Sequence, residues 1–454
     1  MNHEASTTHA RPPLPPGPFL VVGLARSGVA AARMLARAGE TVIGVDSGHP
    51  VEAAGLEELG VEVRLDVDGT DFLGDVATVV KSPGVPRAAA VVSAARDRGI
   101  EVMGELELAW RMLSNHFSAV TGTNGKTTTT ELLGHIHRTA GRPVAVVGNV
   151  GTPVSSLVGE IEEAATVVCE CSSFQLEDTT EFAPECSVFL NLAPDHLDRH
   201  GSFEAYRDAK FGVFANQGTD DVSVVNGDDP ELSSGVLPGN ARRVWFCDGG
   251  TCEMTIEDGV MRWQGEALIG VDELPLLGRH NVENAMAAAA AALAMGIAPG
   301  PVADGLRTFE GVPHRLERVR ERDGVLYVND SKATNVASAL AGIGAFKGGL
   351  HLILGGSLKG ESFRPLAGPV SDRAVAVYLI GAAADDLVMD LASVAVSGVH
   401  IQRSGTLEQA VEDASAAASE GQVVLLSPAC ASFDAFRDFE ERGDRFRDLV
   451  GALP

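Results

Sequence analysis

Thr121-Gly122-Thr123-Asn124-Gly125-Lys126-Thr127-Thr128 sits between two different sequence patterns. Before it, Phe117-Ser118-Ala119-Val120 is a short β-prone apolar run; after it a helical pattern begins. The two glycines let backbone N–H groups close around phosphate oxygens with no Cβ in the way. Lys126 can neutralise β- and γ-phosphates, and Thr127 can hold Mg²⁺ through its hydroxyl. The spacing is G-x-x-G-K-T, shorter than the common G-x-x-x-x-G-K-[ST]. The bland alternative is a glycine-rich turn with a solvated lysine. Strand, loop, lysine, hydroxyl and helix come in the order that phosphate binding needs, so Gly122 to Thr128 are read as an ATP site.

Outward from this loop, the same strand-then-helix alternation recurs on both sides. Phe19–Val22 leads into Gly23-Leu24-Ala25-Arg26-Ser27-Gly28, a helical pattern from Val29 to Arg37, and a strand Thr41–Val45 ending at Asp46. This is the outline of a Rossmann half. Its second fingerprint position is Ala25, whose methyl group opposes close backbone approach to a pyrophosphate, which speaks against NAD. A strand Val76–Val80 then meets the turn Lys81-Ser82-Pro83-Gly84 at the carboxyl edge of the sheet, where open α/β sheets bind ligands. Past the phosphate loop, strands are expected at 143–147, 165–170, 187–192 and 222–226. A long helix follows Gly278-Arg279-His280-Asn281-Val282-Glu283-Asn284. Beyond the linker-like Gly311-Val312-Pro313, strands are expected at 325–329, 351–354, 375–380 and 423–427. The expected organisation is α/β in three domains. Residues 1–18 are a disordered tail, 19–114 a Rossmann-like domain, 115–312 a central P-loop ATP-binding domain, and 313–454 a Rossmann-like C-terminal domain. Parallel sheets with crossover helices are expected in all three.

The 454 residues carry 62 acidic and 35 basic side chains, a formal net charge of −27. Nucleic acids and anionic membranes need a basic footprint, so both are excluded as expected partners. No apolar run is long enough to span a bilayer; the Ala-rich stretch 285–295 reads as a packed helix. Six cysteines without metal-type spacing point to reduced thiols in a cytoplasmic protein, with Cys169 and Cys171 structural.

Other strand ends carry chemistry-bearing residues. Val167-Val168-Cys169-Glu170 places a carboxylate where a nucleotide-bound Mg²⁺ finds a second protein ligand; a solvent-facing Glu is the alternative. In Asp195-His196-Leu197-Asp198-Arg199-His200, a histidine between aspartates can ligate metal, although a lone His is more often structural. Asp198 and His200 are read as surface. Tyr206-Arg207-Asp208-Ala209-Lys210-Phe211 sets a lysine within an apolar helical face, where it either snorkels to water or has its charge altered.

TGTNGKTT, Glu170 with SSFQL, DHLD, YRDAK, GRHNVEN and Pro313-His314-Arg315 together resemble the Mur ligases, ATP-dependent amide-forming enzymes of peptidoglycan synthesis. In the last third, NDSKATN (329–335), Leu354-Gly355-Gly356 with Lys359, and LSPACASFD (426–434) are similar to the members that add D-glutamate to UDP-N-acetylmuramoyl-L-alanine. The resemblance runs from about residue 19 to the C-terminus. It implies an acyl-phosphate route, ATP with two Mg²⁺ ions, a monomer, and closure of the last domain about residues 311–314. It assigns Lys126 and Thr127 to phosphate and Mg²⁺, with Glu170 on the same ion. His196 and a carbamylated Lys210 would hold the second ion. Asn281, Asn284, Arg315 and Asp330 would contact the nucleotide. Catalytic Lys332, with Thr334, Lys359, Ser432 and Phe439, would form the D-glutamate pocket. Ser27, Asp46, Ser47 and Gly84 would hold the uridine diphosphate, and Asn149 the sugar-peptide portion. Folylpolyglutamate synthetases share the layout but lack the N-terminal Rossmann-like unit, and the diaminopimelate- or lysine-adding ligases carry a D-N-P-R motif absent here. A nucleotide-gated binding module without activity is the non-enzyme alternative.

Overall fold

The computed structural model describes residues 11–453, except 150, 359, 393 and 395–397. The chain divides into two compact units: residues 1–274 with 283–308, and 275–282 with 309–454.

The first unit holds two sheets. One has five parallel strands in the order Glu62–Leu65, Val42–Asp46, Phe19–Val22, Thr78–Lys81, Glu101–Gly104. Phe19–Val22 and Thr78–Lys81 are buried along their whole length, as strands covered by helices on both faces must be. The other sheet has nine strands, and Phe117–Thr121 lies inside it between Cys186–Phe189 and Thr166–Glu170. Its far edge departs from the expected parallel alternation. Met254–Glu257, Val260–Trp263 and Glu266–Gly270 pair antiparallel, through tight turns with left-handed Asp258-Gly259 and Gln264-Gly265. The helix Lys126–Thr139 packs on this sheet, and Pro299–Thr308 lies against it where Gly305 comes close to Ile136; a Cβ at Gly305 would sit 2.9 Å from the Ile136 side chain. In Arg279–Ala294, Ala285 and the run 287–292 are buried, as expected of a packed helix.

The second unit has one six-stranded sheet: Glu317–Arg322, Val325–Asn329, Val423–Leu426, Leu350–Gly355, Ala374–Ile380, His400–Gly405. Only Glu317–Arg322 runs antiparallel, a second exception to the all-parallel expectation. Leu350–Gly355 is buried throughout, and its two faces feed two separate apolar clusters.

Two further expectations are corrected. Residues 11–18 are not a free tail. Arg11 donates to the carbonyls of Trp110 (2.9 Å) and Asn115 (2.5 Å), pairs with Glu185 at 3.3 Å, and lies over the rings of Trp110 and Phe117. One planar guanidinium meets carbonyls, carboxylate and ring faces at once, which polar composition does not disclose. Residues 1–10 lie outside the described residues. The six cysteines are not all thiols: Cys247 and Cys252 form a disulfide, while Cys169, Cys171, Cys186 and Cys430 are free and buried. Among the described residues no helix is long and apolar enough to cross a membrane.

Candidate active site

The phosphate loop forms because Phe117–Thr121 ends in two residues that only glycine serves well. Gly122 has φ +151° and Gly125 φ +86°, and the helix starts at Lys126. A Cβ at Gly125 would lie 2.1 Å from Asn284 Oδ1, so the loop and Asn284 touch closely. The loop is fastened from the next strand end. Asn191 accepts from the Asn124 amide through Oδ1 (2.8 Å), and its carbonyl accepts from the Thr123 amide (2.9 Å). Thr123 Oγ1 accepts from the Ala193 amide (3.0 Å) and lies 3.0 Å from the Tyr206 hydroxyl. Lys126 Nζ donates to the loop carbonyls of Gly122 (3.0 Å) and Thr123 (2.9 Å). Thr127 and Thr128 are buried in the first helical turn.

Glu170 is buried at the end of its strand, where its Oε1 accepts from the Asn149 amide group at 2.9 Å. Asn149, expected near a sugar-peptide, is thus held against a carboxylate. Lys210 retains only 1% exposure. Its Nζ donates to the Gly122 carbonyl (2.7 Å) and lies 3.5 Å from Thr121 Oγ1, and among the described residues it has no acidic partner within ion-pair distance. Burial first, and Lys126 second, push its pKa well below the usual lysine range. His196 is exposed, with left-handed backbone (φ +50°), its ring 3.5 Å from Asp195 and against Phe174.

Among the described residues no three His, Cys, Asp or Glu side chains form a metal cluster. The donor chemistry nevertheless fits Mg²⁺ at the loop, because Thr127 and Glu170 offer hard oxygens and a nucleotide brings its own. Lys210 as an ammonium does not fit a metal; as a carbamate it would offer two more oxygens.

In the N-terminal sheet, Asp46 ties the glycine turn together: Oδ2 accepts from the Leu24 amide (2.7 Å) and Oδ1 from Gly48 (2.8 Å). Ala25 is exposed and extended at the helix N-cap, so its methyl group meets no crowding there. Ser27 lies in the first turn of that helix, and Ser47 is exposed beside Asp46. Gly84 is exposed, and Arg199 donates to the neighbouring carbonyls of Pro83 (2.8 Å) and Val85 (2.9 Å).

In the second unit, Asp330 is buried, accepting from Ser427 Oγ (2.8 Å) and the Leu316 amide (3.2 Å). Burial raises its pKa to about 7, with Ser427 and Arg315 opposing the rise. The turn after it carries Lys332, whose Nζ lies 5.8 Å from the centre of the Phe439 ring, and Thr334. Ser432 is buried, and Phe439 is half-buried at the start of the helix Phe439–Ala452. Asn281 is buried and donates to Leu277 O at 2.7 Å. Lys359 lies outside the described residues.

Three family models match in order: Mur ligase MurD-like, N-terminal domain (residues 18–104), Mur ligase middle domain (120–292), and Mur ligase, glutamate ligase domain (314–430). The chain is 42% identical over 447 residues to the UDP-N-acetylmuramoylalanine--D-glutamate ligase of Acidobacterium capsulatum, covering 95% of each chain. It is 43% identical to the enzyme of that name from Pelotomaculum thermopropionicum, covering 96% of this chain and 97% of the other. The chain belongs to the Mur ligase family. In fold it resembles the UDP-N-acetylmuramate-alanine ligase of Thermotoga maritima, with a TM-score of 0.61 at 20% identity, covering 96% of this chain and 99% of the other. It likewise resembles MurF ligase of Thermotoga maritima in complex with ADP, with a TM-score of 0.58 at 18% identity and coverage of 96% and 95%.

Several residues that shape this Mur ligase site escape sequence reading. Asn191 and Tyr206 brace the phosphate loop, and Asp229 accepts from the Leu192 amide at 2.7 Å, fixing the strand end that leads to His196. Asn191 stands at the strand end before the DHLD run and Tyr206 opens the YRDAK run, but neither motif shows that these residues brace the loop; Asp229 gives no signal.

Proposed function

We propose that the chain is an ATP-dependent ligase that joins D-glutamate to UDP-N-acetylmuramoyl-L-alanine in peptidoglycan precursor synthesis. A carboxylate is a poor electrophile, so amide formation in water needs it activated. Its oxygen attacks the γ-phosphorus of ATP, ADP leaves, and the acyl-phosphate is attacked by the D-glutamate amine with loss of phosphate. Lys126, at the head of the phosphate-loop helix, supplies a positive charge against the triphosphate, and the loop amides cradle its oxygens. Mg²⁺, held by Thr127 and Glu170 with a second ion on His196 and carbamylated Lys210, would offset the repulsion between carboxylate and triphosphate.

The observation that carries the reading is the convergence of phosphate loop, Glu170 and Lys210. Strand Thr166–Glu170 pairs directly with Phe117–Thr121, and Lys210 Nζ bonds the Gly122 carbonyl at 2.7 Å. An uncharged amine is what adds to CO₂ to form a carbamate, and burial without an acidic partner disfavours the ammonium. In the second unit, Lys332, Thr334, Lys359, Ser432 and Phe439 make up the acceptor pocket. Asn281, Asn284, Arg315 and Asp330 contact the nucleotide; Ser27, Asp46, Ser47 and Gly84 hold the uridine diphosphate, and Asn149 the sugar-peptide. We place the enzyme in the cytoplasm as a monomer acting on small molecules, in keeping with its nucleotide substrates and net charge of −27.

The test is phosphate release from ATP with UDP-N-acetylmuramoyl-L-alanine, scanning acceptors. D-Glutamate should support turnover; L-glutamate and D-alanine should not. Release that is equal with all acceptors, or absent with D-glutamate, would overturn the reading.

A further inference from the structure

We infer that Arg442 is the positioning residue of the acceptor pocket, fixing the loops that carry Lys332, Ser432 and Phe439 without itself touching substrate; this rests on the pocket assignment above. Arg442 is 1% exposed, in the first turns of the helix Phe439–Ala452. Its Nε donates to Ser331 Oγ (2.9 Å), and its Nη2 to the carbonyls of Ser331 (2.8 Å) and Cys430 (3.1 Å). Nη1 donates to Ala431 O (3.2 Å). Ser331 Oγ in turn donates to Phe439 O at 2.8 Å. The acceptors flank the residues assigned to the pocket: Ser331 precedes Lys332, Cys430 and Ala431 lead into Ser432, and Phe439, bonded through Ser331, begins the helix.

No carboxylate pairs with Arg442 among the described residues, and burial lowers its pKa to about 10. A buried cation without an acid is costly unless hydrogen bonds replace its hydration. Here the planar fork meets carbonyls from two loops at once, which a lysine could not do. Neighbouring backbone is shaped to this grip. A Cβ on Gly356 would lie 2.2 Å from Ala431 O and 3.0 Å from Arg442 Nη1, and Ser357 N donates to the same Ala431 carbonyl at 2.8 Å. So Gly356-Ser357, just past the strand Leu350–Gly355, is registered on the same knot. Pocket groups must be held within about half an ångström to act on a small substrate.

A cavity of about 200 Å³, lined by Gly356, Gly381, Leu407, Phe436 and Arg442, opens beside the guanidinium. It provides a route for guanidinium ion to enter an Arg442→Ala protein, and so a test that general loss of stability would not pass. Initial rates are measured with the full chain while varying ATP, UDP-N-acetylmuramoyl-L-alanine and D-glutamate in turn. Arg442→Ala should raise KM for D-glutamate by about tenfold or more and leave the other two within about twofold. Low-millimolar guanidinium should recover most of that loss, urea at the same concentration none, and Arg442→Lys should stay impaired. A uniform rise in all three KM values, an unchanged D-glutamate KM, or no recovery with guanidinium overturns the proposal. If Arg442→Ala does not fold, Ser331→Ala decides: it cuts the link to Phe439, and an unchanged D-glutamate KM overturns the proposal while a severalfold rise supports it. Thr334→Ala tests the underlying assignment separately. If that variant leaves D-glutamate KM unaltered, the pocket reading fails whatever Arg442 does.

Discussion

Lys210 and Arg442 each retain about 1% of their exposure, and among the described residues neither has an acidic partner within ion-pair distance, yet their surroundings are opposite. Lys210, in the phosphate-loop unit, has one short bond to the Gly122 carbonyl, a long contact to Thr121 and the face of the Tyr206 ring 5.0 Å from its Nζ. Arg442, in the other unit, has four donor contacts spread over two loops. Both are buried cations, but only Arg442 has its lost hydration replaced. A cation whose hydrogen bonds are met is structural cement for its neighbours, whereas one left short of partners is poised to give up its proton or be chemically altered.

The largest expected effect concerns a third cation, Lys126, which is half-buried at the helix start and faces the proposed phosphates. Lys126→Ala should cut ATP turnover at least about a thousandfold while leaving the thermal midpoint unchanged. Near-normal turnover in the folded variant would remove the phosphate loop from the mechanism and with it one side of the comparison.

Lys210→Ala should lose about a hundredfold or more in turnover, and acetate or formate should restore part of it by occupying the vacated space. Intact-mass measurement of the active wild type tests the same point. A bare ammonium in the working, Mg²⁺-loaded protein would make Lys210 a second Arg442, a cation kept for packing.

Stability sharpens the contrast without any substrate. Arg442→Met removes the donors to Ser331 Oγ and to the carbonyls of Ser331, Cys430 and Ala431, and should cost about 2–5 kcal/mol in urea denaturation. Lys210→Met removes a poorly partnered buried charge and should cost less than about 1 kcal/mol, or stabilise. Equal losses would erase the distinction.

The remaining effect is a pH dependence from Asp330. Its folded pKa of about 7 lies above the ordinary 3.8, so the folded chain binds a proton that the unfolded chain releases between those values. Its contribution to stability is therefore fully present below about pH 3.8 and is lost as pH rises from there through about 7. Asp330→Asn should flatten this trend by about 2 kcal/mol between pH 5 and pH 8, read from denaturation midpoints. An unchanged slope would mean that the carboxylate stays charged in the fold.

Much of this was legible beforehand because it is local. The phosphate loop, Glu170 at its strand end and the strands 19–22, 222–226 and 325–329 each announce themselves within a few residues, through glycine placement and apolar runs. Composition alone reads Arg11 as part of a polar tail, and Cys247 and Cys252 as thiols. In both cases the deciding partner comes from how the chain folds back and not from composition. The antiparallel hairpins of 254–270 were missed because short, mixed-polarity strands at a sheet edge lack the continuous apolar signal of buried ones.

By itself, the sequence determined the chemistry available: a glycine loop with lysine and hydroxyls, carboxylates at strand ends, and an alternation of strands and helices that builds three sheets in chain order. Backbone conformation and local pattern follow from neighbouring residues, so such features survive reading in one dimension. Tertiary structure alone decided what each charge does. Lys210 and Arg442 look alike as basic residues on helices, and whether a charge is solvated, satisfied or stranded depends on groups up to 111 residues away, as Ser331 is from Arg442.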